Sequence, residues 1–157
     1  MQIKTGIITI SDRAAAGSYP DLSGPALKSA ALAYGWIILD EAVTPDERGS
    51  IQSLIRRQIT LGCQLILTTG GTGISPRDVT PEAVRDLGGR ELPGFGEVMR
   101  RESLKITPHA LLSRCLAADL GGVLVLCLPG KPTGAVECLD FVVSAIPHAI
   151  ELLQTGV

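Results

Sequence analysis

Aromatic residues and long apolar runs are both scarce in this sequence. Phe, Tyr and Trp make up only 3% of the 157 residues, so the interior must be built mainly from Leu, Ile, Val and Ala. The apolar runs, such as Val123–Leu128, are far shorter than the ~18 residues that a membrane span requires. We therefore expect no membrane segment.

The sequence also lacks a large net charge of either sign, because its formal net charge is only −2. A protein that grips nucleic acid normally carries a basic patch or stripe, so no nucleic-acid partner is expected. The cysteines form no C-x-x-C pair and resemble small buried hydrophobic residues of a reducing compartment: Cys63, Cys115, Cys127 and Cys138. The first five residues lack the features of a signal peptide, which predicts a cytoplasmic protein.

No internal repeat or low-complexity tract divides the chain, and its length suits one domain over residues 1–157. Strands are predicted at 4–10, 36–43, 64–68 and 123–128. Helices are predicted at 25–34, from 46 onward, at 80–87, 95–106 and 134–153. Ser23 or Gly24 is expected to cap the first helix, Thr80 the third, and Pro147 to bend the last.

This alternation of strands and helices implies βαβ units. The predicted fold class is α/β, with three layers: a mostly parallel sheet and helices on both of its faces. Such sheets bind ligands beyond the carboxyl ends of their strands, where the strand order reverses. Three loops follow predicted strands and become the candidate site, and they begin at Ser11, Thr69 and Pro129.

The loop after the third predicted strand is rich in glycine. Three glycines in four residues remove side chains where a ligand must approach the backbone, and they permit the positive φ values that aim several amides at one anion. The pattern is neither a Walker A motif nor a dinucleotide fingerprint. The alternative is a tight turn without a ligand. The phosphate-binding candidates here are Thr69, Gly70, Gly71, Thr72, Gly73 and Ser75.

Two aspartates stand beside these loops. Asp78 follows the glycine run as a carboxylate next to a phosphate cradle, where a Mg²⁺ ligand would lie. Its alternative roles are a salt bridge with Arg77 or a turn-stabilising hydrogen bond. Asp46 follows the second predicted strand, and helix capping alone would also explain it.

The remaining candidates lie in the first and last loops. Ser11 and Asp12 end the first predicted strand. Pro129, Gly130 and Lys131 lie between a strand and a helix, whose free amides and dipole favour an anion. An ordinary strand-to-helix turn is the alternative for this segment. His109 and His148 are isolated and are expected to be packing or surface residues.

Together these segments resemble the molybdopterin adenylyltransferase family, and they are similar to the G domain of gephyrin. The glycine loop followed by Asp-Val-Thr-Pro is the most specific part, and the resemblance extends from residue 6 to about 153. The matching segments are Ile10-Ser11-Asp12-Arg13, Pro45-Asp46-Glu47, Thr69-Gly70-Gly71-Thr72-Gly73, Arg77-Asp78-Val79-Thr80-Pro81-Glu82-Ala83, Leu92-Pro93-Gly94-Phe95-Gly96-Glu97, Leu112-Ser113-Arg114, Leu128-Pro129-Gly130 and Glu137-Cys138.

The resemblance implies a molybdopterin-binding-like fold and a homotrimer that transfers AMP from ATP to the terminal phosphate of molybdopterin, with release of pyrophosphate. It also implies that Asp46 and Asp78 match the two essential acidic residues of the family. Because a phosphate nucleophile needs no general base, these aspartates are predicted to be Mg²⁺ ligands or positioning residues. Hand-over of the product to a molybdenum-insertion protein is a further implied partnership. The alternatives are a non-catalytic molybdopterin-binding carrier or scaffold of the same family and a generic nucleotide-binding regulatory domain.

Overall fold

The fold is that of a computed structural model, which describes residues 1–156. The strands are β1 (Lys4–Ile10), β2 (Ile37–Thr44), β3 (Leu65–Thr69), β4 (Arg90–Glu91), β5 (Ala117–Leu120) and β6 (Val123–Leu128). The helices are α1 (Asp12–Ala15), α2 (Ser23–Ala33), α3 (Arg48–Thr60), α4 (Thr80–Arg85), α5 (Pro93–Leu104), α6 (Pro132–Val142) and α7 (Ile146–Thr155). Short 3₁₀ turns occupy Pro108–Leu112 and Val143–Ala145.

The strands form one sheet in the order β2-β1-β3-β6-β5-β4. β1 pairs in parallel with β2 and β3, and β3 pairs in parallel with β6, whereas β5 and β4 are added antiparallel. The chain moves from β1 to one neighbour, β2, and then crosses to the other neighbour, β3. The strand order therefore reverses between β1 and β3, which is where such sheets bind ligands. The predicted mostly parallel sheet is confirmed.

Helices cover both faces of the sheet, and each face has its own hydrophobic core. The neighbouring β1 residues Ile7 and Ile8 belong to opposite cores because successive side chains of a strand alternate in direction. The Ile7 core receives side chains from α2, α5, α6 and α7, and the Ile8 core receives them from α3 and α4. The three predicted layers and the aliphatic interior are both confirmed.

The central strands are buried on both faces. Every residue of β3 and β6 is buried, whereas the edge strand β2 alternates between exposed and partly buried positions before its buried last residue. Continuous apolar runs are typical of parallel strands that lie between two helical layers. This explains why the sequence pattern marks β3 and β6 clearly.

Two strands are absent from the sequence prediction. β4 has only two residues, both exposed, and β5 reads Ala117-Ala118-Asp119-Leu120. Alanine and aspartate are depleted in strands, so neither length nor composition marks these segments. β5 pairs antiparallel with β6, and β4 with β5, which extends the sheet on the side away from β1 and β2.

The predicted ends of the first and last helices need correction. α2 begins at Ser23, and neither Ser23 nor Gly24 caps it through a side chain. The Asp21 carboxylate instead accepts a hydrogen bond from the Gly24 amide at 3.0 Å. The last helical region is two helices, with the turn Val143–Ala145 between them and Pro147 in the first turn of α7.

All four cysteines are buried and unpaired, as predicted. Burial raises the pKa of the Cys63 thiol to about 11 and that of the Cys127 thiol to about 12, so both are protonated at neutral pH. Within residues 1–156 there is also no helix whose length and apolar character would let it cross a membrane.

Candidate active site

A cavity of about 650 Å³ opens at the carboxyl ends of β1 and β3, where the strand order reverses. It is walled by the loops that follow β1, β2, β3 and β6 and by the segment that enters α2. The lining residues are Thr9, Ile10, Ser11, Asp12, Arg13, Ala14, Tyr19, Pro20, Asp21, Leu22, Ser23, Asp46, Thr69, Gly70, Gly71, Ser75, Asp78, Gly130, Lys131 and Pro132.

Asp12 and Asp46 join the loops after β1 and β2 by reciprocal hydrogen bonds. The Asp12 amide donates to Oδ2 of Asp46 at 3.0 Å, and the Asp46 amide donates to Oδ1 of Asp12 at 2.9 Å. Asp46 is therefore not a helix cap, because α3 begins at Arg48 and its preceding residue, Glu47, makes no side-chain cap. The capping alternative for Asp46 is wrong.

Arg77 ties the glycine-rich loop to the same pair. Its Nε and Nη2 atoms donate to the two carboxylate oxygens of Asp12 at 2.9 and 2.8 Å. The hydrogen bond from Arg77, helped by the one from the Asp46 amide, lowers the pKa of Asp12. Arg77 thus pairs with Asp12 and not with Asp78, so the expected alternative of an Arg77–Asp78 salt bridge is wrong.

The loop after β3 has no space for side chains at two of its glycines. Gly70 and Gly71 have φ values of +104° and +67°. A Cβ atom on Gly70 would lie 2.1 Å from the Ile10 carbonyl oxygen, and one on Gly71 would lie 2.2 Å from Oγ1 of Thr80. Both conformation and close approach therefore require glycine here. The positive φ values are as predicted, but the atoms that approach these two glycines belong to Ile10 and Thr80 and not to a ligand.

The carbonyl groups of this loop are all occupied by the protein itself. Thr80 donates from Oγ1 to the Gly70 carbonyl at 2.9 Å and from its amide to the Gly71 carbonyl at 3.1 Å. Arg114 donates from its amide to the Thr72 carbonyl at 2.8 Å and from Nε to the Gly73 carbonyl at 2.7 Å. Thr80 is consequently not the cap of α4, because its hydroxyl is used in this loop.

Three successive amide groups of the same loop are left unused. Among residues 1–156, no acceptor receives a hydrogen bond from the amides of Gly71, Thr72 or Gly73. Gly71 lines the cavity, and backbone amides without a protein partner at such a position are the usual components of an anion site. The loop therefore has donors to offer a ligand while its acceptors are satisfied.

Asp46 and Asp78 both lie against this loop, Asp46 at Gly71 and Asp78 at Gly73. Oδ1 of Asp46 is 3.1 Å from the position that a Cβ on Gly71 would take, and Oδ2 of Asp78 is 2.9 Å from the corresponding position on Gly73. Oδ2 of Asp78 also accepts a hydrogen bond from the Ser75 amide at 2.9 Å, so the turn-stabilising alternative holds for one oxygen. Both aspartates line the one cavity.

Asp46 lies in different electrostatic surroundings from Asp12. Burial raises the pKa of Asp46, and the negative charges of Asp12 and Asp78 act in the same direction against the hydrogen bond from the Asp12 amide. Oδ1 of Asp46 and Oδ1 of Asp78 accept no hydrogen bond from any residue between 1 and 156. Each aspartate therefore has one carboxylate oxygen available to a ligand.

The donor set suits a cation that is shared with a ligand. The part of the chain that is described contains no group of three or more His, Cys, Asp or Glu side chains arranged to hold a metal. Mg²⁺ at phosphoryl-transfer sites is usually bound by one or two carboxylates, waters and substrate phosphates. The free oxygens of Asp46 and Asp78 fit that arrangement and do not form a cage made of protein alone.

The loop after β6 is pressed against the glycine loop. The Gly70 amide donates to the Leu128 carbonyl at 3.1 Å, and Oγ1 of Thr69 donates to the Pro129 carbonyl at 2.6 Å. A Cβ on Gly130 would lie 3.2 Å from the Cα of Gly70, which leaves little space between the two loops. Lys131 then precedes the first residue of α6 and reaches the cavity wall.

The structure gathers most of the predicted site residues around the cavity. Thr72, Gly73 and Pro129 do not line it. Thr72 is buried, and its hydroxyl accepts a hydrogen bond from the Cys115 thiol, so its side chain faces the protein interior. The predicted residues that line the cavity are Ser11, Asp12, Asp46, Thr69, Gly70, Gly71, Ser75, Asp78, Gly130 and Lys131.

Two supporting residues are missing from the predicted site, although Arg114 belongs to a segment that matches the family. Arg114 binds the Gly73 and Asp78 carbonyls at 2.7 Å each and pairs with the Glu82 carboxylate. Asp21 accepts hydrogen bonds from the Thr9 hydroxyl and the Gly24 amide. Neither residue has a local signal, because Arg114 contacts segments more than 30 residues away and Asp21 lies in a polar loop.

A doubly wound α/β sheet with a glycine-lined, amide-rich cavity at its switch point is typical of domains that bind anionic ligands. Residues 6–148 match the family model described as a probable molybdopterin binding domain, and the chain belongs to this family.

The relatives extend over nearly the whole chain. A molybdopterin adenylyltransferase of Helicobacter pylori (strain J99) is 44% identical, with 96% of this chain and 88% of the relative covered. The Escherichia coli protein of the same name is 39% identical, with 97% and 86% covered. The crystal structure of the molybdopterin biosynthesis enzyme MoaB from Thermus thermophilus matches with a TM-score of 0.91 and 40% identity, with 98% and 97% covered.

Gly71 offers a direct test of the glycine loop. We expect Gly71→Ala to destabilise the protein more than Gly88→Ala, because both have positive φ but only Gly71 is crowded by Thr80. Gly88 has no atom within 4 Å of the added Cβ, so Gly88→Ala should lose only the ~1–2 kcal/mol of stability that a left-handed backbone conformation costs alanine. Crowding at Gly71 should lower the free energy of unfolding, measured by urea denaturation, by about 1–3 kcal/mol more. Equal losses would contradict the close approach of Gly71 and Thr80.

Proposed function

We propose that the chain transfers AMP from ATP to the terminal phosphate of molybdopterin, giving adenylyl-molybdopterin and pyrophosphate. The observation that carries this proposal is the position of the Asp46 and Asp78 carboxylates beside the unused amides of the glycine loop. Relatives that are 38–44% identical over nearly the whole chain are named molybdopterin adenylyltransferase, which supports the same reaction here.

The reaction requires no general base. The attacking group is a phosphate monoester with a second pKa near ~6, so it is largely dianionic at neutral pH. The requirement is to hold two mutually repelling anions in line and to stabilise charge on the departing pyrophosphate. Asp46 and Asp78 are therefore assigned to binding and positioning, and not to proton transfer.

Main-chain donors and one lysine are assigned to the phosphates. In this proposal the amide of Gly71, continued by those of Thr72 and Gly73, cradles one phosphate group, with the hydroxyls of Thr69 and Ser75 nearby. The amino-terminal turn of α6 and Lys131 bind a second phosphate group in the same cavity. Ser11 and Asp12 line the cavity directly after β1, and Asp12 keeps Asp46 and Arg77 in position by hydrogen bonds.

The free Oδ1 atoms of Asp46 and Asp78 are the proposed Mg²⁺ ligands. A bound Mg²⁺ ion would screen the repulsion between the two substrates and stabilise the charge that develops on pyrophosphate. The role of the two side chains is to fix that charge at the wall of the cavity, next to the phosphate-binding amides.

The cellular setting is proposed from the family resemblance. We assign the protein to the cytoplasm, as a homotrimer whose product passes to a molybdenum-insertion protein. An apolar groove that includes Phe95, Phe141 and Leu152 offers surface for contacts between copies. The alternative, a molybdopterin carrier without catalytic activity, would use the same cavity.

The defining experiment combines the protein with molybdopterin, ATP and Mg²⁺. We expect release of pyrophosphate that requires all three additions, and formation of adenylyl-molybdopterin in equal amount. Binding of molybdopterin without any pyrophosphate release would contradict the proposal and support the carrier.

Asp78→Asn separates chemistry from folding. An asparagine oxygen still accepts the hydrogen bond from the Ser75 amide, so the turn should form. Loss of the negative charge should lower turnover by two or more orders of magnitude, which corresponds to ~3 kcal/mol of barrier. Asp86→Asn is a suitable control, because Asp86 is an exposed partner of Arg48 outside the cavity. Unchanged turnover in Asp78→Asn would remove Asp78 from the mechanism.

Asp46→Asn should lose activity without losing stability. The pKa of Asp46 is raised by burial, so the folded state binds its proton more tightly than the unfolded chain does. The free energy of unfolding then falls as the pH rises from the pKa of Asp46 in the unfolded chain to its higher pKa in the folded protein. The ionised side chain is therefore a destabilising group at pH 7. Asparagine keeps an acceptor for the Asp12 amide and removes the charge.

We therefore expect the Asp46→Asn variant to have an equal or higher Tm at pH 7 and at least a hundredfold lower turnover. Thermal unfolding and pyrophosphate release measured on the same preparation would check this. A lowered Tm that accounts for the lost activity would instead assign Asp46 a structural role.

A further inference from the structure

The five aromatic residues of the chain are distributed unevenly. Trp36 is buried in the Ile7 core, and Tyr34, Phe95 and Phe141 pack against that core. Tyr19 is the exception, since 45% of its surface is exposed and it lines the cavity. In the described part of the chain it contributes the only aromatic ring to the cavity wall.

Tyr19 is held in place by a closed loop. The amide and hydroxyl of Ser18 donate to the Arg13 carbonyl at 3.0 and 3.2 Å, and the Tyr19 amide donates to the same oxygen at 3.3 Å. Gly17 has a φ of +74°, which allows the chain to turn back at this point. The loop therefore returns Tyr19 to Arg13.

The Arg13 side chain covers the Tyr19 ring. Its guanidinium carbon is 4.6 Å from the ring centroid, within the range of a cation–π contact. Arg13 forms no salt bridge with an acidic group of residues 1–156. A planar cation without an acidic partner and an exposed ring thus stand together in the wall of the cavity that the glycine loop also lines.

We propose that the Arg13–Tyr19 pair is the stacking surface for the flat nitrogen heterocycle of a substrate. This inference rests on the proposed function, in which both substrates consist of such a ring joined to phosphate. Aromatic and guanidinium faces bind flat bases by stacking, without needing a particular pattern of hydrogen bonds. The ring is either the adenine of ATP or the pterin of molybdopterin.

The test measures binding directly and does not depend on turnover. Calorimetry would be carried out on the full chain with three probes taken separately: Mg²⁺-ATP, molybdopterin and inorganic triphosphate with Mg²⁺. Tyr19→Leu removes the ring but keeps an apolar side chain of moderate size, and Tyr19→Phe keeps the ring. Leu61→Ala is a control for the loss of an exposed apolar side chain, because Leu61 is 50% exposed and lies outside the cavity.

We expect Tyr19→Leu to weaken binding of one ring-bearing substrate roughly tenfold or more, as is usual for loss of a stacking aromatic residue. Triphosphate should bind this variant as it binds the wild type, and Tyr19→Phe should bind all probes normally. Loss confined to ATP assigns the pair to adenine, and loss confined to molybdopterin assigns it to the pterin.

Several results would overturn the inference. These are unchanged affinity of Tyr19→Leu for both ring-bearing substrates, an equal loss for triphosphate, or no binding of either ring-bearing substrate by the wild type. If the wild type binds both substrates but releases no pyrophosphate, the proposed reaction fails while the stacking surface remains measurable. The two failures are therefore distinguishable.

Discussion

The reciprocal hydrogen bonds between Asp12 and Asp46 are the constraint on which the rest of the cavity depends. Each aspartate accepts from the other's amide, so the loops after β1 and β2 fix each other without help from a helix cap. Two neighbouring carboxylates repel, and Arg77 offsets this by binding both oxygens of Asp12. The hydrogen bonds from Arg77 and the Asp46 amide lower the pKa of Asp12, whereas burial, joined by the negative charges of Asp12 and Asp78, raises the pKa of Asp46. Asp12 becomes a neutralised structural group, and Asp46 keeps a free oxygen at the wall of the cavity.

The glycine loop shows how the main chain alone can offer hydrogen-bond donors to a ligand. Unused amides are useful only if the loop is rigid, and here the rigidity comes through the carbonyls. Thr80 and Arg114 bind four successive carbonyls, from Gly70 to Gly73, so the loop is fastened on its acceptor side. The absence of Cβ atoms at Gly70 and Gly71 lets β1 and α4 approach closely enough to do this. Donors that are held in place before a ligand arrives need no rearrangement to stabilise charge.

The sequence predicts which loops meet at the cavity better than it predicts the helix caps and the short edge strand of the sheet. Parallel strands end at one edge of the sheet, so loops beginning at Ser11 and Thr69 had to meet once their strands were recognised. Local rules fail where a tertiary partner competes for the same group. Thr80 has the sequence position of a helix cap, yet its hydroxyl binds Gly70, ten residues earlier. No local sequence pattern predicts the contacts of Arg114, because its partners come from distant segments. β4 is too short to show the alternation of a strand.

The charged side chains that line the cavity are mostly acidic. Four aspartates line it, against two cationic side chains, Arg13 and Lys131, which is an unexpected composition for a cavity that we propose to receive two polyanions. Asp12 is neutralised by Arg77, and both oxygens of Asp21 are occupied by Thr9 and the Gly24 amide. Asp46 and Asp78 form no salt bridge, and each keeps one carboxylate oxygen that accepts no hydrogen bond from residues 1–156. This local excess of negative charge supports the proposed Mg²⁺ ion, which would be shared between protein and substrate.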